Sequence, residues 1–266
     1  MELLGYIAAI FIGISLSVIG GGGSILTVPV LLYLFAVDAV TATAYSLFIV
    51  GVSSSVGSLA YFKNKLVDVK TAVVFGIPSI IAVFATRAYL VPAIPEQLFT
   101  LGSFVFTKSI SLVLLFALLM IAASHSMITK SVLKTENDEA PQKFNHPLIL
   151  VEGTLVGILT GLVGAGGGFL IIPALVLLSK LPMKKAVGTS LVIIAAKSLV
   201  GFWGESSETL IDWSLLLHIS AFAVLGIFIG IPISKKIDGN KLKPAFGWFV
   251  LLMGMYIIFK ETILKH

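Results

Sequence analysis

The chain has 266 residues, 58% of them hydrophobic and only 12% charged, with a mean hydropathy of +1.08. Soluble domains carry about a quarter charged residues, so this composition excludes a soluble domain and predicts an integral membrane protein. The formal net charge of +5 sits in loops between apolar segments, where the positive-inside bias accounts for it without a nucleic-acid partner, and the absence of cysteine excludes a disulfide framework, a thiolate zinc site and a redox motif.

The first apolar run, Leu3 to Val37, holds no charge and is too long for one helix across a core of about 30 Å. It is read as two helical pieces flanking Gly20–Gly23. The N-terminus has no basic region and the run shows no cleavage site, so it belongs to the fold. Spans follow at Ala39–Phe62, Val69–Val91 and Phe104–Ser124. A polar stretch from Ser126 to His146 is read as a flexible loop. The second half repeats the plan: Pro147–Leu178 broken at Gly164–Gly168, then Met183–Gly204, Trp213–Ser234 and Leu242–Phe259.

The chain states its motif twice. Ile19-Gly20-Gly21-Gly22-Gly23-Ser24-Ile25-Leu26-Thr27-Val28-Pro29 returns 144 positions later as Val163-Gly164-Ala165-Gly166-Gly167-Gly168-Phe169-Leu170-Ile171-Ile172-Pro173. At the same offset Gly13 matches Gly157, Ser46-Leu47 matches Ser190-Leu191, Val56-Gly57 matches Val200-Gly201, and Leu66 and Asp68 match Leu210 and Asp212. This is internal duplication. Residues 1–124 form the first transmembrane repeat, 125–146 a cytoplasmic loop between repeats, and 147–266 the second repeat.

Equivalent loops swap their charge character. Lys63, Lys65 and Lys70 face Glu205, Glu208 and Asp212, and the cation-free connection at Asp38 faces Lys180, Lys184 and Lys185. Under the positive-inside rule the halves are then upside down relative to each other. Such inversion needs an odd number of crossings per half, which four segments supply when the broken one enters and leaves on the same side. The expected fold is an all-α polytopic membrane protein of two inverted-topology repeats, each a Gly-broken, hairpin-like first segment plus three transmembrane helices. Both termini are expected outside.

Glycine clusters break helices, and a broken helix at membrane depth is tolerated only inside protein or beside a watery cavity. Two such breaks at equivalent places point to a transporter's substrate site. Because the residue before proline avoids the α-region, the non-helical stretches are expected to run from Gly20 to Val28 and from Gly164 to Ile172, with Pro29 and Pro173 starting short helices. Their N-termini would attract an anion. Small residues every four positions, Ala9-Gly13-Ser17 and Gly153-Gly157-Gly161, are read as helix packing.

Lys197 lies inside the Met183–Gly204 span, where a cation costs at least about 2.5–3.5 kcal/mol and marks function by default. Its repeat partner is Ser53, and Glu152 is a candidate counter-ion. Ser46, Thr189 and Ser190 are matched hydroxyls that could donate to an oxyanion, although membrane serines often bond their own backbone. Arg87 and Lys108 are expected to snorkel, His218 to be packed and hydrogen-bonded, Asp68 and Asp212 to cap helices, and Tyr61, Trp203, Trp213 and Trp248 to sit in interfacial belts. Neither Gly-rich copy ends in the Lys-Ser/Thr of a phosphate loop. No cofactor or metal site and no catalytic set is evident, so an enzyme is not expected.

The stretches Gly20–Leu31 and Gly164–Leu175, Thr43-Ala44-Tyr45-Ser46-Leu47 and Val187-Gly188-Thr189-Ser190-Leu191, and Leu66-Val67-Asp68 with Leu210-Ile211-Asp212 resemble the TauE/SafE sulfite exporter family over nearly the whole chain. The resemblance implies a permease in the plasma membrane, of the bacterial inner-membrane type, for a small sulfur-containing anion such as sulfite or a sulfonate. Carried onto this chain, it brings Gly20, Gly21, Gly22, Gly23 and Ser24 and Gly164, Gly166, Gly167 and Gly168 to the anion, with Ser46, Thr189 and Ser190 nearby. Tyr45 and Lys197 depart from the family pattern. The reading is a secondary transporter working by alternating access, with an anion channel on the same broken helices as the alternative. The expected partners are that anion and the bilayer; oligomeric state is left open.

Overall fold

The structure is a computed structural model that describes residues 2–101, 104–129, 146–163, 168–177, 181–205, 211–236 and 239–260. In chain order the helices are α1 (Glu2–Ile19), α2 (Gly22–Tyr33), α3 (Ala39–Lys63) and α4 (Val69–Ala85), which runs through a π-helical turn (Thr86–Leu90) into α5 (Val91–Ala93). A hairpin of β1 (Gln97–Leu101) and β2 (Phe104–Thr107) precedes α6 (Lys108–Thr129). Then come α7 (His146–Val163), α8 (Gly168–Leu177), α9 (Met183–Glu205), α10 (Trp213–Lys236) and α11 (Gly239–Phe259).

Four stretches are long and apolar enough to cross a membrane: Ala39–Lys63, Val69–Ala93, Met183–Gly204 and Trp213–Ser234. Shorter apolar helices complete the bundle. The expected span Phe104–Ser124 is corrected at its start. Phe104–Thr107 pairs antiparallel with Gln97–Leu101, in the register Phe99 to Phe106 and Leu101 to Phe104, and the helix begins only at Lys108. Aromatic and β-branched residues favour such a pleated pairing over a helix start.

The broken first segment folds back on itself. Gly5, near the start of α1, lies against the ring of Phe35 just beyond α2, and Tyr6 stacks on that ring at 5.5 Å. Gly23, at the start of α2, packs on Ile12 and Leu16 of α1. The expected non-helical stretch Gly20–Val28 is corrected to Gly20 and Gly21 alone. Helix α2 resumes at Gly22, because the Ser24 amide and hydroxyl both return to the Gly21 carbonyl, at 3.3 and 2.6 Å. Pro29 therefore lies inside α2, and Pro173 lies inside α8 rather than at its start. Membrane helices tolerate an internal proline because neighbouring groups satisfy the freed carbonyl.

Packing is reciprocal between the halves. Helix α1 lies along α10 and α7 along α4; α3 runs against α9, and α6 against α11. Individual contacts exchange at the 144-residue offset. Gly13 touches Ala223, and Gly157 touches Ser79; Ser17 meets Gly230, and Gly161 meets Thr86. Gly57 faces Leu191 and Ile227, and Gly201 faces Leu47 and Val83. The small-residue stripes thus pack α1 and α7 onto their neighbours, as the spacing predicts, with no room for a Cβ at Gly13 or Gly157.

The capping is reciprocal too. Asp68 Oδ1 accepts from the Thr71 amide at 2.8 Å, and Asp212 Oδ1 accepts from the Leu215 amide at 3.1 Å. Trp203, Trp213 and Trp248 face outward, as belt residues do.

Candidate functional site

The first glycine break meets the start of α8. Gly20 takes φ +79°, a left-handed conformation that glycine adopts without a Cβ penalty. This turns the chain so that Gly21, the residue capping α2, lies directly against Gly168, the first residue of α8. A Cβ on Gly21 would stand 2.6 Å from the Gly168 Cα. Two helix N-termini therefore face each other inside the protein. Each leaves its first amides without intrahelical partners and carries the positive end of a helix dipole. Like ends repel, and an anion between them removes the repulsion.

Helix α9 runs past both tips with one stripe of side chains. A Cβ on Gly20 would lie 2.8 Å from the Val187 Cα and 2.9 Å from the Ser190 Oγ, and one on Gly168 would lie 2.6 Å from the Ile194 Cδ1. Lys197 is the next residue on this stripe, about 4.5 Å further along the axis. The equivalent stripe on α3 is Thr43, Ser46, Val50 and Ser53, all buried.

Ser190 donates its hydroxyl to Val187 O at 2.8 Å and lies 3.2 Å from Gly20 O. It reaches its own backbone and the first tip together. Ser46 is fully buried, and its hydroxyl has no hydrogen-bond partner among the described residues. The same holds for Ser53, Ser54, Ser79 and Ser198. Ser24 is spent on the Gly21 carbonyl. Gly20, Gly21, Gly22, Gly23 and Gly168 form the described part of the tips; Gly164, Gly166 and Gly167 lie outside the described residues.

Thr189 points to a different task. Its hydroxyl accepts the backbone N–H of Asp68 at 2.9 Å, while at the other end of the molecule the Tyr45 hydroxyl accepts the backbone N–H of Asp212 at 2.6 Å. Tyr45, the departure from the family pattern, performs the service of its repeat partner Thr189.

Lys197 is fully buried. Its Nζ donates to the Thr160 hydroxyl at 3.1 Å, one turn before α7 ends at Val163, and Thr160 passes its own proton to Val156 O. The contemplated Lys197–Glu152 pair does not form. Glu152 sits two turns earlier on α7, about 12 Å along the axis, and its Oε2 has no hydrogen-bond partner among the described residues.

Four other expectations are corrected. Arg87 does not snorkel: it is 1% exposed and donates through Nη1 to the Thr43 hydroxyl at 3.0 Å. The π-helical turn that begins at Thr86 rotates it inward, a device common at functional sites. Lys108 is also buried, its Nζ 3.8 Å from the exposed Glu96. Tyr61 is no belt residue; its buried hydroxyl donates to Ser17 O at 2.7 Å and so caps the broken end of α1. His218 is hydrogen-bonded to Ser214 O but faces outward instead of packing inside.

Among the described residues the buried charged side chains are all cations: Arg87, Lys108 and Lys197. Sequence reasoning missed Arg87 and Tyr61. The signal for Arg87 was its depth in an apolar span; Tyr61 gave none, since its role depends on a carbonyl exposed by a break 41 residues earlier.

A polytopic bundle of apolar helices with a broken first segment, whose buried charges among the described residues are cations, has the architecture of a membrane transporter. The chain matches the family described as Sulfite exporter TauE/SafE over residues 5–257, and it belongs to that family. It is 29% identical over 258 residues to the probable membrane transporter protein YunE of Bacillus subtilis (strain 168), covering 92% of each chain. It is 27% identical to a probable membrane transporter protein of Xylella fastidiosa (strain Temecula1), over 94% of this chain and 92% of the relative. It is also 27% identical to the probable membrane transporter protein MJ0441 of Methanocaldococcus jannaschii, over 95% and 93%. No solved structure matches the chain. The family is one of membrane permeases, not enzymes.

Proposed function

We propose that this protein is a secondary transporter that moves a small sulfur-containing anion, sulfite or a sulfonate, across the plasma membrane by alternating access. The observation that carries the reading is the contact of Gly21 with Gly168, which sets two helix N-termini against one another. Ser190 and Lys197 stand on the α9 stripe beside this contact, and the unpaired Ser46 hydroxyl stands on the equivalent stripe of α3. The anion lies beside the joined tips, held by main-chain amides, Ser46 and Ser190, with Lys197 balancing its charge.

The reciprocal contacts of α1 with α10 and α7 with α4 support two structurally related repeats, and the swapped loop charges argue for their inversion with both termini outside. In that arrangement the hairpins enter from opposite faces. Exchanging the two repeat conformations would open the tips first to one face and then to the other. The tips touch in this structure, which favours an occluded carrier state over the continuous pore of a channel.

The test is a ligand panel on purified protein: sulfite, sulfate, sulfoacetate, taurine and carboxylates, scored by thermal shift. Stabilisation by one or more sulfur oxyanions is expected. Stabilisation only by a cation or a neutral solute overturns the reading. Saturable counterflow in liposomes supports a carrier, and single-channel currents support the channel.

A further inference from the structure

We infer that Lys197 binds and releases a proton together with the transported anion, so that the protein is an anion–proton symporter; this rests on the anion reading above. The inference begins with the surroundings of Nζ. Lys197 is fully buried, and its hydrogen-bond partner is a neutral hydroxyl, Thr160, whose own proton is committed to Val156 O. That oxygen can accept from an ammonium, more strongly, or from a neutral amine, so the contact by itself does not require the charge.

Among the described residues the elements around Lys197 place no compensating carboxylate against it. From α7 the titratable groups are His146, the first residue of the helix, and Glu152, two turns from Thr160. From the π-helical turn they are Arg87, a second cation, which is bonded to Thr43, and the exposed Tyr89. Its own helix carries Glu205 two turns further on. From α3 they are Tyr45 and Tyr61, engaged with the Asp212 amide and the Ser17 carbonyl. Lys63, Lys70, Lys184 and Lys185 stand at exposed helix ends, and α8 contributes no ionisable residue. No carboxylate among the described residues lies within ion-pair distance of the Lys197 Nζ.

A buried ammonium without a counter-ion is strongly disfavoured, and lysine, unlike arginine, escapes by losing its proton. An anion beside the joined tips is the missing counter-ion, since Lys197 lies one turn from the Gly168 contact on the stripe that touches both tips. As the anion enters, the Nζ lone pair takes a proton from hydronium in the solvent: an O–H bond breaks, a new N–H bond forms and neutral water is left. When the tips open to the other face the anion leaves, that N–H bond breaks, and the proton passes to water there. For a monoanion the loaded site gains no net charge, which eases the passage of the occupied carrier through the membrane.

The alternative is a permanently charged Lys197 that merely complements the C-terminal end of α7. The two are separated by proton counting. Binding of isethionate and of sulfate, neither of which titrates near neutrality, is measured by calorimetry on the purified full-length protein in two buffers of different ionisation heat. The parent should take up about one proton per anion, and its affinity should fall about tenfold per pH unit across the window of uptake. Lys197→Arg holds its charge at every accessible pH, so it should bind without proton uptake and with a flat pH profile. Lys197→Met should bind more weakly and also without uptake. Binding by the parent with no proton uptake, or uptake undiminished in Lys197→Met, overturns the inference and leaves the anion reading intact. If neither these anions nor any in the thermal-shift panel bind, the anion reading fails and the inference falls with it.

Discussion

Gly21 and Gly168 lie backbone against backbone, close enough that a Cβ on Gly21 would stand 2.6 Å from the Gly168 Cα. Neither residue is a turn former by chance. Each begins a helix, and each is small because the other helix starts in the same place. The contact joins the two halves where the first main-chain amides of α2 and α8 have no helical partners.

Alanine at either tip should therefore be severe, while alanine at an equally apolar site should not. Gly21→Ala and Gly168→Ala each put a methyl group into opposing backbone, which cannot move aside like a flexible side chain. Loss of anion binding is expected for both. Gly57→Ala meets its nearest atoms at 3.5–3.7 Å, ordinary contact distance, and should be neutral or stabilising by up to about 1 kcal/mol. Ligand-induced thermal shift separates the outcomes; full binding in Gly21→Ala would remove the tips from the site.

Tyr61→Phe deletes one oxygen and leaves the Ser17 carbonyl at the end of α1 without its donor. An unsatisfied buried acceptor costs about 1–3 kcal/mol. Because Ser17 lies one turn before Gly20, the loss should lower both the melting temperature and the anion affinity. A normal melting temperature in Tyr61→Phe would show that another group takes over the carbonyl.

Thr189→Val and Tyr45→Phe remove equivalent acceptors, one from the Asp68 amide and one from the Asp212 amide. Each should cost about 1–3 kcal/mol. The two sites share no partner, so the double variant should lose the sum. Chemical denaturation in detergent reads all three values, and a markedly non-additive result would mean that the two turns are coupled.

Asp38 tests the fold in acid. Burial pushes its carboxyl upward, but bonds from the Thr41 amide and hydroxyl, the Val40 amide and Ser109 outweigh this and hold it below the usual carboxylate range. A lowered native value means that the stabilisation is full above the unfolded value of about 3.9 and is lost as pH falls through the native one. Asp38→Asn keeps much of the cap but not the charge. Its melting temperature should differ from the parent at neutral pH, begin to converge with it as pH falls below about 4 and meet it only below the lowered native value; a constant difference down to acid would argue against the carboxylate as the cause.

The sequence by itself determined the membrane class, the duplication, the positions of the breaks and the family. These rest on composition and on a fixed offset, both local or one-dimensional properties. It also placed Asp68 and Asp212 correctly as caps, because capping involves residues three apart. It misplaced the start of α2, since the pattern before Pro29 outweighed the return of the Ser24 amide and hydroxyl to the Gly21 carbonyl, visible only in three dimensions. It expected Arg87 at the surface, since π-helical rotation has no periodic signature. Only the tertiary structure decided that Gly21 meets Gly168, that Thr160 rather than Glu152 receives Lys197, and that Tyr45 and Thr189 share one role. Each of these joins residues on different helices, and their distance follows from how the helices cross, which chain order does not encode.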